Sequence, residues 1–232
     1  MKIMTFNTQH CWNYLEPKID FDIMAKAILD CDPDIVGLNE MRNESDHPEY
    51  DAQVKRLSEL TGMKYYYFAQ AIVFPGRGPY GNGLLSKHPI VKAETVMIPD
   101  PEVKKYDGYY ETRCVLRAEL ENGMTVLVTH FGLNPDEQDN AVATIMGLLP
   151  NERFILMGDF NLRPDAPALA PIYEKMTDAA VKFNEEKFSF PSDTPDRKID
   201  YIFVSRDLDV VSADIPAIVA SDHRPHVAEI KA

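Results

Sequence analysis

Cysteine is scarce in this chain of 232 residues. Three cysteines occur, and Cys11, Cys31 and Cys114 lie far apart. An odd number with scattered spacing argues against a disulfide framework and against a zinc cluster, since both usually bring cysteines in pairs. The sequence therefore predicts a protein of a reducing compartment, and we expect it in the cytoplasm.

Long apolar runs are also missing. No stretch reaches the roughly 20 mostly apolar residues that span a bilayer, so we expect no membrane span. The N-terminal segment MKIMTFNTQH becomes polar after a few residues, too early for a secretory signal peptide. The chain has no internal repeat or low-complexity tract, and its 17 prolines are spread along it instead of marking one linker. We therefore expect residues 1–232 to form one domain.

Basic residues are in the minority. The chain has 24 lysines and arginines against 37 aspartates and glutamates, which gives a formal net charge of −13. Non-specific binding to duplex nucleic acid depends on phosphate contacts and hence on a broad basic surface. The charge therefore disfavours nucleic acid as a partner, although a local basic patch stays compatible with it. An acidic balance is typical of a soluble surface, and it also fits a site that gathers carboxylates around a divalent cation.

Short apolar runs predict buried strands. The clearest are KIMTF, DIVGLNE, RFILMGD, IDYIFVS and HVAEI. Apolar residues at helical spacing predict a helix over 20–30 and another that begins at Pro135 after a polar cap. Residues 113–130 alternate apolar and polar side chains around an Asn-Gly turn, which predicts a hairpin, and the glycine-rich segment 75–83 predicts a loop. So many strands favour two packed sheets with helices outside.

Polar side chains that can bind a metal or a phosphate recur where these strands end. They are Asn7, Glu40, Arg113, His130, Asp159, Asn161, Asp200, Asp222 and His223. Each has an ordinary structural explanation when taken alone. His130 could be a satisfied core histidine, Asp200 a structural partner of an arginine, and Arg113 half of an ion pair. Because strand ends at one edge of a sheet converge in space, their recurrence predicts one functional site.

In this order along the chain, the motifs resemble the endonuclease/exonuclease/phosphatase superfamily. They are TFN at Asn7, LNE at Glu40, GNGLLSKHPI at 81–90, THF at His130, GDFN at 158–161, KIDYIF at 198–203 and SDHRP at 221–225. GDFN combined with a C-terminal SDH is specific, whereas TFN or LNE alone is weak. The resemblance covers essentially the whole chain. It implies a four-layer α-β-β-α sandwich, in which two packed mixed β-sheets are flanked by helices.

The resemblance also implies cleavage of a phosphate ester by water with the help of Mg²⁺, or of Mn²⁺ as the alternative ion. Magnesium prefers oxygen ligands, and one or two carboxylates suffice to hold it. The implied ligands are Glu40, Asn7 and Asp222. Many nuclease members carry Asp or Asn two residues after the position of Asn7, but this chain has Gln9. The longer, uncharged amide favours one metal ion over two.

The remaining residues receive catalytic roles from the resemblance. Asp159 is expected to position and deprotonate the attacking water. The groups expected to hold or stabilise the phosphate are His130, His223, Arg113 and Asn161, and orienting the attacking water is the alternative role of Asn161. Asp200 is the expected partner of His223, because a carboxylate behind a histidine fixes its tautomer and favours the charged ring. The sequence does not identify an acid that would support His130.

The loops give little information about the substrate. PGRGPYGNG, with Arg77 and Tyr80, is the candidate loop for gripping DNA, and it carries one cation. KKYDGYYETR brings two lysines and three tyrosines, which could stack on a base or pack within the loop. Since no long basic stripe is present, we predict hydrolysis of a small organic phosphate ester. The alternatives are an endo- or exonuclease of repair or turnover and, third, a non-catalytic binding module; the oligomeric state stays open.

Overall fold

The computed structural model describes residues 1–46 and 50–231. The strands are β1 (Lys2–Asn7), β2 (Ile35–Arg42), β3 (Tyr65–Phe74), β4 (Gly78–Ser86), β5 (Ile90–Met97), β6 (Cys114–Leu120), β7 (Thr125–His130), β8 (Phe154–Asp159), β9 (Met176–Asp178), β10 (Asp200–Ser205), β11 (Asp209–Asp214) and β12 (His226–Lys231). The α-helices are α1 (Phe21–Cys31), α2 (Gln53–Thr61), α3 (Pro135–Leu148) and α4 (Ala170–Lys175).

The strands form two six-stranded sheets. The order is β11-β12-β1-β2-β4-β3 in the first sheet and β5-β6-β7-β8-β10-β9 in the second. β1 pairs with β2 in parallel, and β7 pairs with β8 in parallel. The other strand pairs of the described residues are antiparallel. Both sheets are therefore mixed.

Each sheet is covered on both faces. In β1, Ile3 packs into the core between the sheets, while the next residue, Met4, packs under α1 and α2. In β8, Met157 faces the core between the sheets and Leu156 lies among residues of α3 and α4. Strands buried on both faces consist of continuous apolar runs, which explains the runs in the sequence. This arrangement confirms the predicted four-layer α-β-β-α sandwich.

The two longer predicted helices begin where their caps predict. The side chain of Asp20 accepts hydrogen bonds from the backbone N–H groups of Asp22 and Ile23 at the start of α1. At the start of α3, Asn134 and Glu137 form a reciprocal capping box. These contacts satisfy backbone donors that the first helical turn leaves unpaired.

The prediction of a loop over residues 75–83 is wrong in its second half, because β4 begins at Gly78. A Cβ at Gly81 would lie 1.9 Å from the carbonyl oxygen of Ala69 in β3, so glycine there permits close strand pairing. Tyr80 is only 7% exposed and cannot reach out to grip a duplex. The strand β5 was not predicted, since Lys92 and Glu94 interrupt its apolar pattern.

The three cysteines are free and buried. Within residues 1–46 and 50–231, none of the helices has the length and apolar character needed to cross a membrane.

Candidate active site

The candidate site lies at the edge where central strands of both sheets end. In the parallel pair of β1 and β2, Asn7 stands opposite Asn39. In the parallel pair of β7 and β8, His130 stands opposite Asp159. Asp200 begins β10 and stands opposite Asp159 on its other side. Because parallel neighbours end at the same edge, the two sheets present their polar residues to one region.

The backbone departs from regular strand geometry where it carries two of these side chains. Glu40 has a φ of 62° and Asn161 a φ of 52°. The register between β2 and β4 also shifts between Leu38 and Met41, on either side of Glu40. Left-handed backbone is uncommon outside glycine, and bulges next to active sites redirect side chains. Local strain of this kind is typical of functional sites.

A buried amide joins the two sheets directly behind Asp159. The Oδ1 of Asn39 accepts a hydrogen bond of 2.9 Å from the backbone N–H of Asp159. Its Nδ2 donates to the Thr129 carbonyl and to Oδ1 of Asn82, both at 2.8 Å. A Cβ at Gly158 would lie 1.8 Å from the Thr129 carbonyl oxygen, so the glycine of GDFN is required for this close approach. Asp159 is thereby held at a fixed position between the sheets.

The carboxylate of Asp159 is the centre of the site. Its Oδ1 accepts from the backbone N–H of Asn161 at 2.9 Å, and its Oδ2 accepts from Nδ2 of Asn7 at 3.1 Å. Two imidazoles face the same Oδ2, with Nε2 of His130 at 3.5 Å and Nε2 of His223 at 3.6 Å. Burial raises the pKa of Asp159 to about 7, and the nearby positive charge of His223 opposes this rise. Such a carboxylate is suited to accept a proton near neutral pH.

His223 is backed by a carboxylate. Its Nδ1 lies 2.8 Å from Oδ2 of Asp200, and the Phe190 ring covers it at a centroid distance of 4.7 Å. Burial alone would lower the pKa of His223, but the charges of Asp200 and Asp159 outweigh it and raise the pKa to about 10. His223 is therefore a cation at neutral pH and carries a proton on both ring nitrogens, of which Nδ1 donates to Asp200.

His130 is backed by a guanidinium, where the sequence had left the supporting group open. Its Nδ1 lies 3.0 Å from Nη1 of Arg113. Burial, followed by the charges of Arg113 and His223, lowers the pKa of His130 well below its ordinary value. Arg113 also forms an ion pair with Glu111. Arg113 therefore makes both the ion pair that an ordinary structural role would give and a contact with a residue of the site.

Glu40 and Asp222 provide carboxylates beside this centre. Nδ2 of Asn7 donates to Oε1 of Glu40 at 3.1 Å, so Asn7 bridges Glu40 and Asp159. Burial raises the pKa of Glu40, and the negative charge of Asp222 raises it further. Oδ1 of Asn7 accepts from the backbone N–H of Gln9 at 3.0 Å. In these contacts Asn7 directs its amide NH2 group at the two carboxylates of Glu40 and Asp159.

This donor set fits a hard divalent cation. Two carboxylates repel each other beside Asn7, and the buried Oε1 of Gln9 has no hydrogen-bond partner among the described residues. Oxygen atoms of this kind are the ligands that Mg²⁺ prefers. Ligand atoms of Asp159, Asp200 and His223 also lie within 4.8 Å of one another, so this buried group could hold a metal ion. However, the charged state of His223 and its bond to Asp200 disfavour it as a ligand, because metals bind neutral imidazole.

The structure thus connects the nine residues predicted from the strand ends. Eight are linked by side-chain or backbone contacts of 3.6 Å or less, and Asp222 acts on Glu40 through its charge. Sequence reasoning assigned no role to Asn39 and missed Glu111. Asn39 stands directly before Glu40 in LNE and could have been found from its place in a buried strand, whereas Glu111 lies in a loop without any such signal.

A family model described as the Endonuclease/Exonuclease/phosphatase family matches residues 4–223. The chain belongs to this family. Family membership and the site identify it as a hydrolase of phosphate esters. Comparison with curated proteins gives no significant match.

Three solved structures illustrate the relationship. An endonuclease/exonuclease/phosphatase of Beutenbergia cavernae is 23% identical with a TM-score of 0.80, and the alignment covers 100% of this chain and 71% of that one. The mannosyl-6-phosphatase Bt3783 of Bacteroides thetaiotaomicron is 16% identical with a TM-score of 0.75, and both chains are covered completely. The human nocturnin catalytic domain, which holds a sulfate anion, is 19% identical with a TM-score of 0.71, covering 100% of this chain and 94% of that one. At these identities, the likeness shows the shared fold.

Proposed function

We propose that this family member is a Mg²⁺-dependent phosphodiesterase or phosphatase that acts on a small organic phosphate ester in the cytoplasm. One observation carries the proposal. The carboxylate of Asp159 lies within 3.6 Å of two imidazoles and within 3.1 Å of Asn7, which also donates to Glu40. A base, two phosphate-binding groups and a candidate metal ligand therefore lie within reach of one substrate phosphate.

Asp159 acts as the base. With a pKa of about 7, its carboxylate accepts the proton of a water that attacks phosphorus. As the new P–O bond forms, the ester P–O bond breaks and the leaving oxygen departs as an alcohol after taking up a proton. Asn161 holds this side of the site, since its backbone N–H fixes Oδ1 of Asp159. His223, as a cation, donates to a phosphate oxygen, and Asp200 keeps its ring oriented. Charge-assisted donors of this kind stabilise the negative charge that develops on the transferred phosphoryl group.

His130 and Arg113 bind the phosphate from the second sheet. The neutral His130 ring donates through one nitrogen. The Nε of Arg113 is buried and has no hydrogen-bond partner among the described residues, so the guanidinium retains a donor for a phosphate oxygen. A planar guanidinium suits this task, because it matches the geometry of phosphate oxygens.

Glu40 and Asp222 would hold the metal ion, and Asn7 would complete the ligand set through Oδ1, with its amide turned from the orientation in which Nδ2 donates to Glu40. When bound, Mg²⁺ or Mn²⁺ would neutralise charge on the phosphate oxygens and position the ester. The presence of Gln9 in place of an acid favours one ion.

Three observations support a small substrate. The net charge is −13, Tyr80 is buried, and the turn before β4 contributes Arg77 as its cation. The similarity to a sugar phosphatase points the same way. A nuclease is the second candidate, because Tyr106 and Tyr109 are 47% and 62% exposed beside two lysines. Exposed aromatic rings near basic residues are typical platforms for stacking bases.

A panel of phosphoesters, from sugar and inositol phosphates to abasic DNA, tests the proposal. We expect Mg²⁺-dependent release of product from a small ester, and we expect Glu40→Ala to abolish it while the circular dichroism spectrum is unchanged. Glu121→Ala, at an exposed turn, is the matched control. Full activity of Glu40→Ala would refute the metal assignment. Preference for DNA, with affinity that falls steeply with salt, would favour the nuclease.

A further inference from the structure

The contact behind His130 determines where its proton is. A guanidinium has only N–H donors and is not deprotonated in proteins. Nδ1 of His130, at 3.0 Å from Nη1 of Arg113, is therefore the acceptor of this bond. An imidazole that accepts at Nδ1 carries its proton on Nε2. The ring is consequently neutral and presents an N–H to Asp159 and to the space where the phosphate would lie.

The amide of Asn161 lies beside the same ring nitrogen, so a ring with its proton on Nε2 requires this amide to donate elsewhere. Its Nδ2 lies 3.2 Å from Nε2 of His130 and 3.1 Å from the Phe131 carbonyl oxygen. Because Nε2 carries the proton, it cannot accept from Nδ2. The amide therefore donates to Phe131, and the N–H of Nε2 stays available for an acceptor.

Glu111 holds the guanidinium in this place. Its carboxylate forms an ion pair with Nη1 of Arg113, and both side chains are only 11% exposed. The loop that carries Glu111 is itself fixed, because its backbone N–H donates to Oε1 of Glu137 in α3 at 3.0 Å. The Tyr80 hydroxyl touches the guanidinium from the first sheet. Two anchors, Glu111 in the loop before β6 and Tyr80 in β4 of the first sheet, thus restrict Arg113 to the direction of His130.

We propose that Glu111 is a positioning residue that, through Arg113, fixes His130 as a neutral imidazole with its proton on Nε2. This inference rests on the proposed function for its consequence, the donation of that proton to a substrate phosphate. Without the Glu111 charge, the guanidinium is free to turn toward the other carboxylates of the site. Nδ1 of His130 would then lose its donor and could take up a proton itself.

The inference depends on the charged groups around Glu111 and His130. Glu111 faces Arg113, Arg42, Glu40 and Glu137. His130 faces Arg113, His223 and Asp159. Of these, only the Glu111–Arg113 pair bears on Nδ1 of His130, so a change confined to Glu111 tests the inference.

The test is ¹⁵N–¹H NMR of the histidine rings in the metal-free protein, with His130 assigned by comparison with His130→Gln. In the wild type we expect a protonated Nε2, an unprotonated Nδ1 and no titration of His130 from pH 5.5 to 8.5. In Glu111→Gln we expect mixed tautomers or a titration within that range. Glu111→Asp should restore the wild-type signals. Glu119→Gln, which breaks the neighbouring ion pair with Arg117 at 2.9 Å, should leave them unchanged.

A proton on Nδ1 in the wild type, or an unchanged His130 in a folded Glu111→Gln, would overturn the inference. Should Glu111→Gln fail to fold, Glu111→Asp together with the wild-type spectrum still decides the tautomer. Because these readouts need no turnover, they stand even where the proposed function fails. On an active substrate, we expect kcat of Glu111→Gln to fall roughly tenfold to a hundredfold with KM nearly unchanged. Loss of kcat with an unchanged His130 spectrum would also count against the inference.

Discussion

His130, at the end of β7, and His223, in the bend before β12, approach one oxygen of Asp159 at 3.5 and 3.6 Å. Both rings are 4% exposed. Their charge states nevertheless differ, since the pKa of His223 is raised to about 10 and that of His130 is lowered well below its ordinary value. Burial disfavours the cation in both rings, so burial does not explain the difference.

The group behind each ring explains it. A carboxylate lies 2.8 Å from Nδ1 of His223, and a guanidinium lies 3.0 Å from Nδ1 of His130. The site therefore holds one charged and one neutral imidazole, and both face the same carboxylate oxygen of Asp159. A cation stabilises developing charge on the phosphate, while a neutral donor binds it without adding a second positive charge beside Asp159.

Replacing Asp159 by asparagine removes the carboxylate charge that both rings face, and it should have the largest effect. We expect kcat to fall by roughly a factor of 10³ or more, since the base is lost, with little change in substrate binding. Steady-state kinetics on a phosphoester would measure both quantities. In the metal-free protein the pKa of His223 should also fall, because Asp159 is one of the charges that raise it. Unchanged turnover would remove Asp159 from the mechanism.

Asp200→Asn tests the charged half of the comparison. The amide oxygen can still accept from Nδ1 of His223, so the ring keeps its orientation and loses the charge behind it. We expect the pKa of His223, followed by NMR without metal, to fall from about 10 toward the ordinary value. The cation of His223 is the active form. As pH rises, the variant should therefore lose activity at a lower pH than the wild type. Its kcat should also drop roughly a hundredfold. Asp209→Asn, at the exposed start of β11, serves as the control. An unchanged pKa in Asp200→Asn would show that another group charges the ring.

Much of this arrangement could be predicted from the sequence. Asn7, His130 and Asp159 each stand at the end of a buried strand. Parallel pairing of the strands then brings these ends together. The pairing of Asp200 with His223 also follows from the resemblance. These features depend on local pattern and on the direction of strands, which the order of residues largely determines.

The partner of His130 could not be predicted, although Arg113 is close in sequence. The hairpin register, which pairs Val115 with Thr129, brings the two near each other, but it does not say which ring nitrogen meets the guanidinium. The role of Asn39 depends on the packing of one sheet on the other, since it joins β2 to Asp159. Contacts between sheets depend on side-chain geometry in three dimensions, for which local sequence carries no signal.

Substitution of His226 should have the smallest effect of these changes. This buried histidine also serves as a control for the comparison of His130 with His223. It is fully buried, its Nδ1 lies 3.3 Å from the Asp200 carbonyl oxygen, and its Nε2 has no hydrogen-bond partner among the described residues. With no carboxylate bonded to its ring, burial and the charge of Lys198 lower its pKa to about 4. Its folded pKa lies below the unfolded value, so the neutral ring stabilises the fold above about pH 6.5, and this contribution is lost as pH falls toward 4.

We therefore expect His226→Gln to unfold with a weaker pH dependence than the wild type. Between pH 7.5 and 5, the free energy of unfolding should fall by about 2 kcal/mol less in the variant, as urea titrations at both pH values would measure. Titration of the other histidines is common to both proteins and cancels in this difference. Equal slopes would mean that His226 is protonated in the folded protein. Burial without a bonded acid would then be insufficient to keep a ring neutral here, and the neutrality of His130 would depend on Arg113 alone.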